Sequence, residues 1–269
     1  MSLLQIIVLA IVQGITEFLP ISSSGHLILV PELTNWPDQG LMMDVGVHVG
    51  TLGAVILYFR NEVGRLFKSF FKLITFNKEY DALDRNLMWM IILATIPIVV
   101  FGGAASALGL TDVWRTIEII GWTSIIFGVA LYFADTKCAD KLNLDKICFG
   151  HALIIGFAQV LAIIPGTSRS GITMTAARAI GFNRTDAARF SMLLSIPTIL
   201  AAAILQIKDL IEVGNVTIGT DLLLGAALSF VAALLAIAGL LKWLESSSMT
   251  PFVIYRVLLG IGLLAFVYG

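Results

Sequence analysis

Glu17 is the only carboxylate in the first 31 residues of this 269-residue chain. Gln13 lies four positions before it, so on a helix the two side chains share a face. The chain then breaks at Pro20 into Ser22-Ser23-Ser24-Gly25-His26. Serines and a glycine at the start of a helix offer hydroxyls and backbone N–H groups to an anion. Taken alone, the run also fits a plain serine N-cap cluster, with Glu17 as a helix-end carboxylate reaching an interface. A second run, Pro165-Gly166-Thr167-Ser168-Arg169-Ser170-Gly171 followed by Thr173, repeats the hydroxyl-glycine theme. It adds a guanidinium, whose fixed fork matches phosphate oxygens. Arg169 needs a partner, which is either Glu17 or an anionic ligand. The loop serines offer a nucleophile candidate, and His26 is placed to exchange a proton near neutral pH. Carboxylate, hydroxyl, histidine and arginine together form an inventory for phosphoryl transfer. Three other ionisable residues are expected outside the site: His48 packed in a core, His151 at an interface, and Arg256 paired with Glu245 or Asp44 or snorkelling to head groups.

The elements that must position these groups lie in a membrane. The chain is 58% hydrophobic and 13% charged, with a net charge of -1 and mean hydropathy of +0.94, whereas a soluble domain is about 25% charged. Disordered, collagenous, disulfide-framework and nucleic-acid-binding classes are excluded. Cys138 and Cys148 fit neither a zinc knuckle nor a redox pair. A spanning helix needs about 20 apolar residues. Stretches near 42–59, 87–108, 116–134, 190–206, 222–243 and 252–268 qualify. The N-terminal apolar run has no preceding Lys or Arg and no small-residue cleavage site, so it is read as part of the mature fold.

Residues 3–30 and 151–177 are apolar but interrupted by the two polar runs. Irregular backbone at membrane depth survives only inside protein or beside a water-filled cavity. Each stretch is therefore expected to be a re-entrant pair of half-helices. One shift places Gln13 on Gln159, Ser22 on Ser168, Ser24 on Ser170 and Gly25 on Gly171. Both halves read broken pair, span, span, span. Three crossings per half invert the second copy, and such repeats place their site near the midplane. The expected fold is thus all-α: six transmembrane helices and two re-entrant pairs, with repeats at 1–134 and 150–269 joined by a cytoplasmic loop at 135–149. Loop charges give the orientation. Thirteen basic residues (Arg60, Arg65, Lys68, Lys72, Lys78, Arg85, Lys137, Lys141, Lys146, Arg178, Arg184, Arg189 and Lys242) fall on one face, and Arg115 and Lys208 on the other. The basic face is cytoplasmic, which leaves both termini on the opposite side. The site opens toward that non-basic face.

Gln13-Gly-Ile-Thr-Glu17-Phe-Leu-Pro-Ile-Ser-Ser-Ser-Gly-His26 and Pro165-Gly-Thr-Ser-Arg169-Ser-Gly-Ile-Thr173 resemble the two signature motifs of the bacitracin-resistance type undecaprenyl-diphosphate phosphatases. The resemblance runs the whole length. It implies a bacterial inner-membrane enzyme that hydrolyses undecaprenyl diphosphate to undecaprenyl phosphate, recycling the lipid carrier of peptidoglycan synthesis and conferring bacitracin resistance. It also implies a homodimer and a divalent cation, Mg2+ or Ca2+. Carried over, the catalytic residues are Glu17, Ser23, His26 and Arg169. Substrate would be bound by Ser22, Ser24, Gly25, Ser168, Ser170, Gly171 and Thr173, and metal by Gln13 and Glu17. Gln13 stands where some members have a glutamate; an amide oxygen can ligate but cannot act as a base. Two rival classes are a polyprenyl-phosphate transporter or flippase, suggested by inverted repeats with broken helices, and a membrane scaffold, which leaves Glu17 and Arg169 unexplained.

Overall fold

The computed structural model describes residues 1–34, 36–75, 81–213 and 219–269, without the side chains of residues 112 and 209–213. Lys78 lies outside the described residues. The described chain is helical: α1 Leu3–Thr16, α2 Ser23–Thr34, α3 Gly40–Tyr58, α4 Arg60–Ile74, α5 Ala82–Ala107, α6 Leu110–Val113, α7 Ile117–Lys137, α8 Phe149–Val160, α9 Arg169–Ala179, α10 Arg184–Val213, α11 Thr220–Leu244 and α12 Thr250–Tyr268. Among the described residues, six stretches are long and apolar enough to cross a membrane: α3, α5, α7, Arg184–Lys208 within α10, α11 and α12. They match the six expected stretches, none of which overruns its helix by more than one residue, so the chain is a multi-pass membrane protein. Large apolar side chains remain exposed on these helices, for example Phe133, Leu235 and Leu258. In a water-soluble domain such a surface would be an aggregation liability; here lipid covers it.

α1 has 14 residues and α8 has 12. At 1.5 Å per residue both are near 20 Å, short of the ~30 Å hydrocarbon core. Each ends just before its polar run. α1 packs on α11 as α8 packs on α5, and α3 meets α10 while α7 meets α12. Glycines set several of these crossings. A Cβ at Gly14 would stand 2.5 Å from Ala232 on α11, and one at Gly156 would stand 2.8 Å from Ala94 on α5. Where α7 crosses α12, a Cβ on Gly260 would lie 2.6 Å from the carbonyl of Gly121. Close backbone approach at small residues is how membrane helices gain dispersion contact without a hydrophobic drive.

The two ends of the bundle differ. One holds Asp135 near the end of α7, which receives Arg184 Nε at 2.7 Å and the backbone N–H of Met249 at 2.9 Å, with Arg178 Nε 3.4 Å away. Glu62 on α4 meets Arg189 on α10 at 3.4 Å at the same end. The other end holds both termini: the Met1 amine lies 3.5 Å from Asp221, and Tyr268 donates to Glu118. One expectation needs correction. The segment carrying Arg60 to Arg85 read as one charged loop, but residues 60–74 of it form the amphipathic helix α4. Val63 and Leu66 pack on the core, while Phe67, Phe71 and Ile74 stay exposed. The apolar residues fall at helical spacing, a pattern that the count of basic residues passed over.

Candidate active site

Both polar runs fold on one plan. Ser22 (φ 74°) and Ser168 (φ 69°) are the non-glycine residues with positive φ among those described. The left-handed turn at each aims the serine Oγ into the first turn of the next helix. Ser22 Oγ accepts from the N–H of Gly25 at 3.3 Å, and Ser168 Oγ from that of Gly171 at 3.0 Å. Ser22 and Ser24 hydroxyls lie 3.4 Å apart, those of Ser168 and Ser170 3.2 Å. Glycine at 25 and 171 lets the runs approach: Gly25 faces Gly166, and a Cβ on Gly171 would stand 2.8 Å from Arg256. Ser170 Oγ donates to the carbonyl of Leu19 at 2.8 Å, joining the second loop directly to the first.

Glu17 caps α1 with its side chain 6% exposed, and its partners come from three elements. Arg169 Nη2 donates to Oε1 at 2.8 Å. Oε2 accepts from Ser23 Oγ at 2.6 Å and from Gln13 Nε2 at 2.9 Å. Of the two partners the sequence left open for Arg169, Glu17 is the one it meets here. Burial would make either charge untenable alone. The pair leaves Arg169 further donors, one of which reaches the Ser191 carbonyl at 3.4 Å. Gln13 Oε1, though buried, has no partner in the structure. Thr173 closes the second loop, donating to the Arg169 carbonyl at 2.9 Å and lying 2.7 Å from Ser191 Oγ.

His26 lies 2.6 Å through Nδ1 from the Ser22 carbonyl, so that nitrogen carries the proton. Its Nε2 meets the Tyr255 hydroxyl at 2.5 Å, and the two rings stack. The structure thus brings Gln13, Glu17, Ser23 and Arg169 into one cluster. It places His26 on the α12 side of the same loop, and Ser24 is exposed beside it.

Residues 6–262 match the family of bacitracin resistance protein BacA. The chain belongs to this family. Curated relatives agree over full length: it is 48% identical over 269 residues to the undecaprenyl-diphosphatase of Jannaschia sp. (strain CCS1), covering 100% of both chains. It is likewise 47% identical over 269 residues to that of Ruegeria pomeroyi, and 48% identical over 271 residues to that of Alteromonas mediterranea, again with 100% of each chain covered.

One residue of this family member was misread in the sequence, and another lies nearer the site than expected. Arg256 finds neither Glu245 nor Asp44 and does not snorkel. It is fully buried and donates to the carbonyls of Gly166 (2.9 Å), Thr167 (2.8 Å), Pro20 (3.4 Å) and Thr123 (3.4 Å). Broken helices leave carbonyls that lipid cannot satisfy, and one guanidinium serves both loops. His48, expected as a packed, hydrogen-bonded histidine outside the site, donates to the Asp44 carbonyl at 2.7 Å through Nδ1, but its Nε2 lies 3.8 Å from Glu17 Oε2. The cost of an ionisable group inside an apolar segment was the available signal for both residues. It was applied to Glu17 and Arg169 only.

Proposed function

We infer that the chain is an undecaprenyl-diphosphate phosphatase, releasing inorganic phosphate and undecaprenyl phosphate and thereby conferring bacitracin resistance. The full-length relatives carrying that name support the substrate. The observation that carries the chemistry is the 2.6 Å hydrogen bond from Ser23 to Glu17, the contact between nucleophile and base that covalent catalysis requires.

In the proposed reaction the diphosphate lies between the starts of α2 and α9, facing their first-turn N–H groups and the hydroxyls of Ser22, Ser24, Ser168 and Ser170, with Gly25 and Gly171 allowing close backbone approach. Thr173 holds α9's first turn. Arg169 keeps the cluster near neutrality before substrate arrives and turns its fork to the terminal phosphate afterwards. Ser23 Oγ attacks the terminal phosphorus as Glu17 takes its proton; the bridging P–O bond breaks, and the lipid phosphate leaves with the proton. Water then attacks the phosphoserine, gives one proton to Glu17, and Ser23 recovers a proton as inorganic phosphate departs. His26, through Nε2, exchanges protons between this cluster and water.

The donor set also accommodates a divalent cation. Among the described residues no three acidic, histidine or cysteine side chains cluster, but Glu17 and the unpartnered oxygen of Gln13 suit an ion that completes its shell from substrate phosphates and water. When bound, Mg2+ or Ca2+ would offset charge on the diphosphate. The matched loop geometry, the paired packing of α1 on α11 and α8 on α5, and the segregated basic residues support an inverted repeat of 1–134 and 150–269. In this reading α1–α2 and α8–α9 are re-entrant pairs in a bacterial inner membrane, the basic end is cytoplasmic, and the site opens to the periplasm. The working unit is proposed to be a homodimer. The test is phosphate release by purified protein from undecaprenyl diphosphate, with and without chelator. Release that chelator suppresses is expected; a transporter would release none.

A further inference from the structure

On the flank of the bundle, α1, α11 and the start of α12 enclose a groove of about 610 Å3. Every residue that lines it is apolar or glycine. α1 contributes Ile15 and Leu19, α11 contributes Leu235, Ala236, Gly239 and Trp243, and α12 contributes Phe252. From Leu228 to Trp243 it follows about 22 Å of α11, at 1.5 Å per residue. Its wall touches the site at Leu19, because the backbone carbonyl of Leu19 is the acceptor that Ser170 of the second loop holds at 2.8 Å. Its outer end lies with the basic residues. Trp243 sits next to Lys242, and its indole donates to Ser248 at 2.9 Å, one residue before the Met249 N–H that Asp135 accepts. The groove has room at Gly239, where a Cβ would meet no atom within 4 Å.

We propose that this groove seats the polyprenyl chain of the diphosphate substrate, with the head group at the two serine loops and the chain running from Leu19 toward Trp243. The proposal rests on the phosphatase reading above and adds the position of the lipid tail. A head group drawn to the broken helices must leave its chain somewhere that is both apolar and continuous with the loops. This groove meets both conditions. It also fixes direction: the head faces the end that holds the termini, while the tail points to the basic end. Because lipid is as apolar as the groove, no transfer energy is gained. The benefit is orientation, since a tail held along α11 aligns the terminal phosphorus with Ser23. A chain too short to pass Leu19 would gain none of it.

The test uses purified full-length protein in detergent and compares kcat/KM for undecaprenyl diphosphate with that for farnesyl diphosphate. Gly239→Phe adds a ring to the groove lining at a position where a Cβ meets no atom within 4 Å, and it raises helix propensity. The expected result is a drop of about tenfold or more in the long-to-short ratio, as for other misplacements of a bound substrate. Ala236→Phe should do the same, so the outcome does not hang on the folding of one variant. Gly262→Phe on α12, exposed and equally open, should leave the ratio as it is. An unchanged ratio in both groove variants overturns the proposal, as does an equal fall in Gly262→Phe. So does an unchanged ratio accompanied by a shift from dimer to monomer, which would make this face a contact between copies. Failure of wild-type protein to release phosphate from either substrate would instead overturn the phosphatase reading itself.

Discussion

The two serine loops share a backbone and differ in charge. Each has a serine at positive φ that caps the N–H three residues on, and each starts a helix at a close glycine. Yet the first carries Glu17 before it and His26 after it, whereas the second carries Arg169 inside it. A pair of identical loops would bind an anion and release it unchanged. In the proposed reaction the difference supplies what binding lacks: a base beside a hydroxyl on one side, and a fixed cation for developing phosphoryl charge on the other.

The comparison can be broken most severely on the acidic side. Glu17→Gln keeps the shape and hydrogen-bonding capacity of the side chain but removes the base, so phosphate release should fall by about 10³-fold or more. Circular dichroism of the same sample should still show the helical fold. On the basic side, Arg169→Lys retains charge and loses the fork. Turnover should fall by about 10²-fold, a smaller loss than at Glu17, measured with saturating substrate. Exchanging the two, Glu17→Arg with Arg169→Glu, preserves the ion pair and moves the base away from Ser23. Activity should stay lost although thermal unfolding remains cooperative.

Arg256 tests what the loops have in common rather than what separates them. Arg256→Met should orphan carbonyls in both loops and cost about 3 kcal/mol or more of stability, seen as a lowered Tm. The smallest effect belongs to the repeated turn. Ser168→Gly relieves the positive φ but removes the cap on Gly171, for a net change of a few tenths of a kcal/mol; Ser168→Ala keeps the strain as well and should cost about 1–2 kcal/mol. Parallel substitutions at Ser22 should give the same order if the turns are equivalent.

How much of this was legible depended on whether the signal was local. The six spans follow from apolar run length alone, and the loop residues Gln13, Glu17, Ser23 and Arg169 stand out because polar groups in apolar stretches are expensive. Their joining is tertiary. Nothing in the spacing of Glu17 and Arg169 states that they meet at 2.8 Å. Arg256 was misread for a related reason: its partners are backbone carbonyls, which every residue carries and no sequence pattern marks. The helix α4 was legible in principle, since Val63, Leu66, Phe67, Phe70 and Ile74 recur at helical intervals, but the basic residues drew the reading toward topology. His48 was weighed by its own span, and only the packing of α3 beside α1 brings it to Glu17.

The central claim is that Ser23 and Glu17 work as one unit, and a double-mutant cycle on phosphate release from undecaprenyl diphosphate addresses it most directly. The account predicts that Ser23→Ala and Glu17→Gln each lose about 10³-fold or more and that the double variant loses no more than the worse single one. Losses that multiply, or near-normal turnover in folded Ser23→Ala, would contradict it.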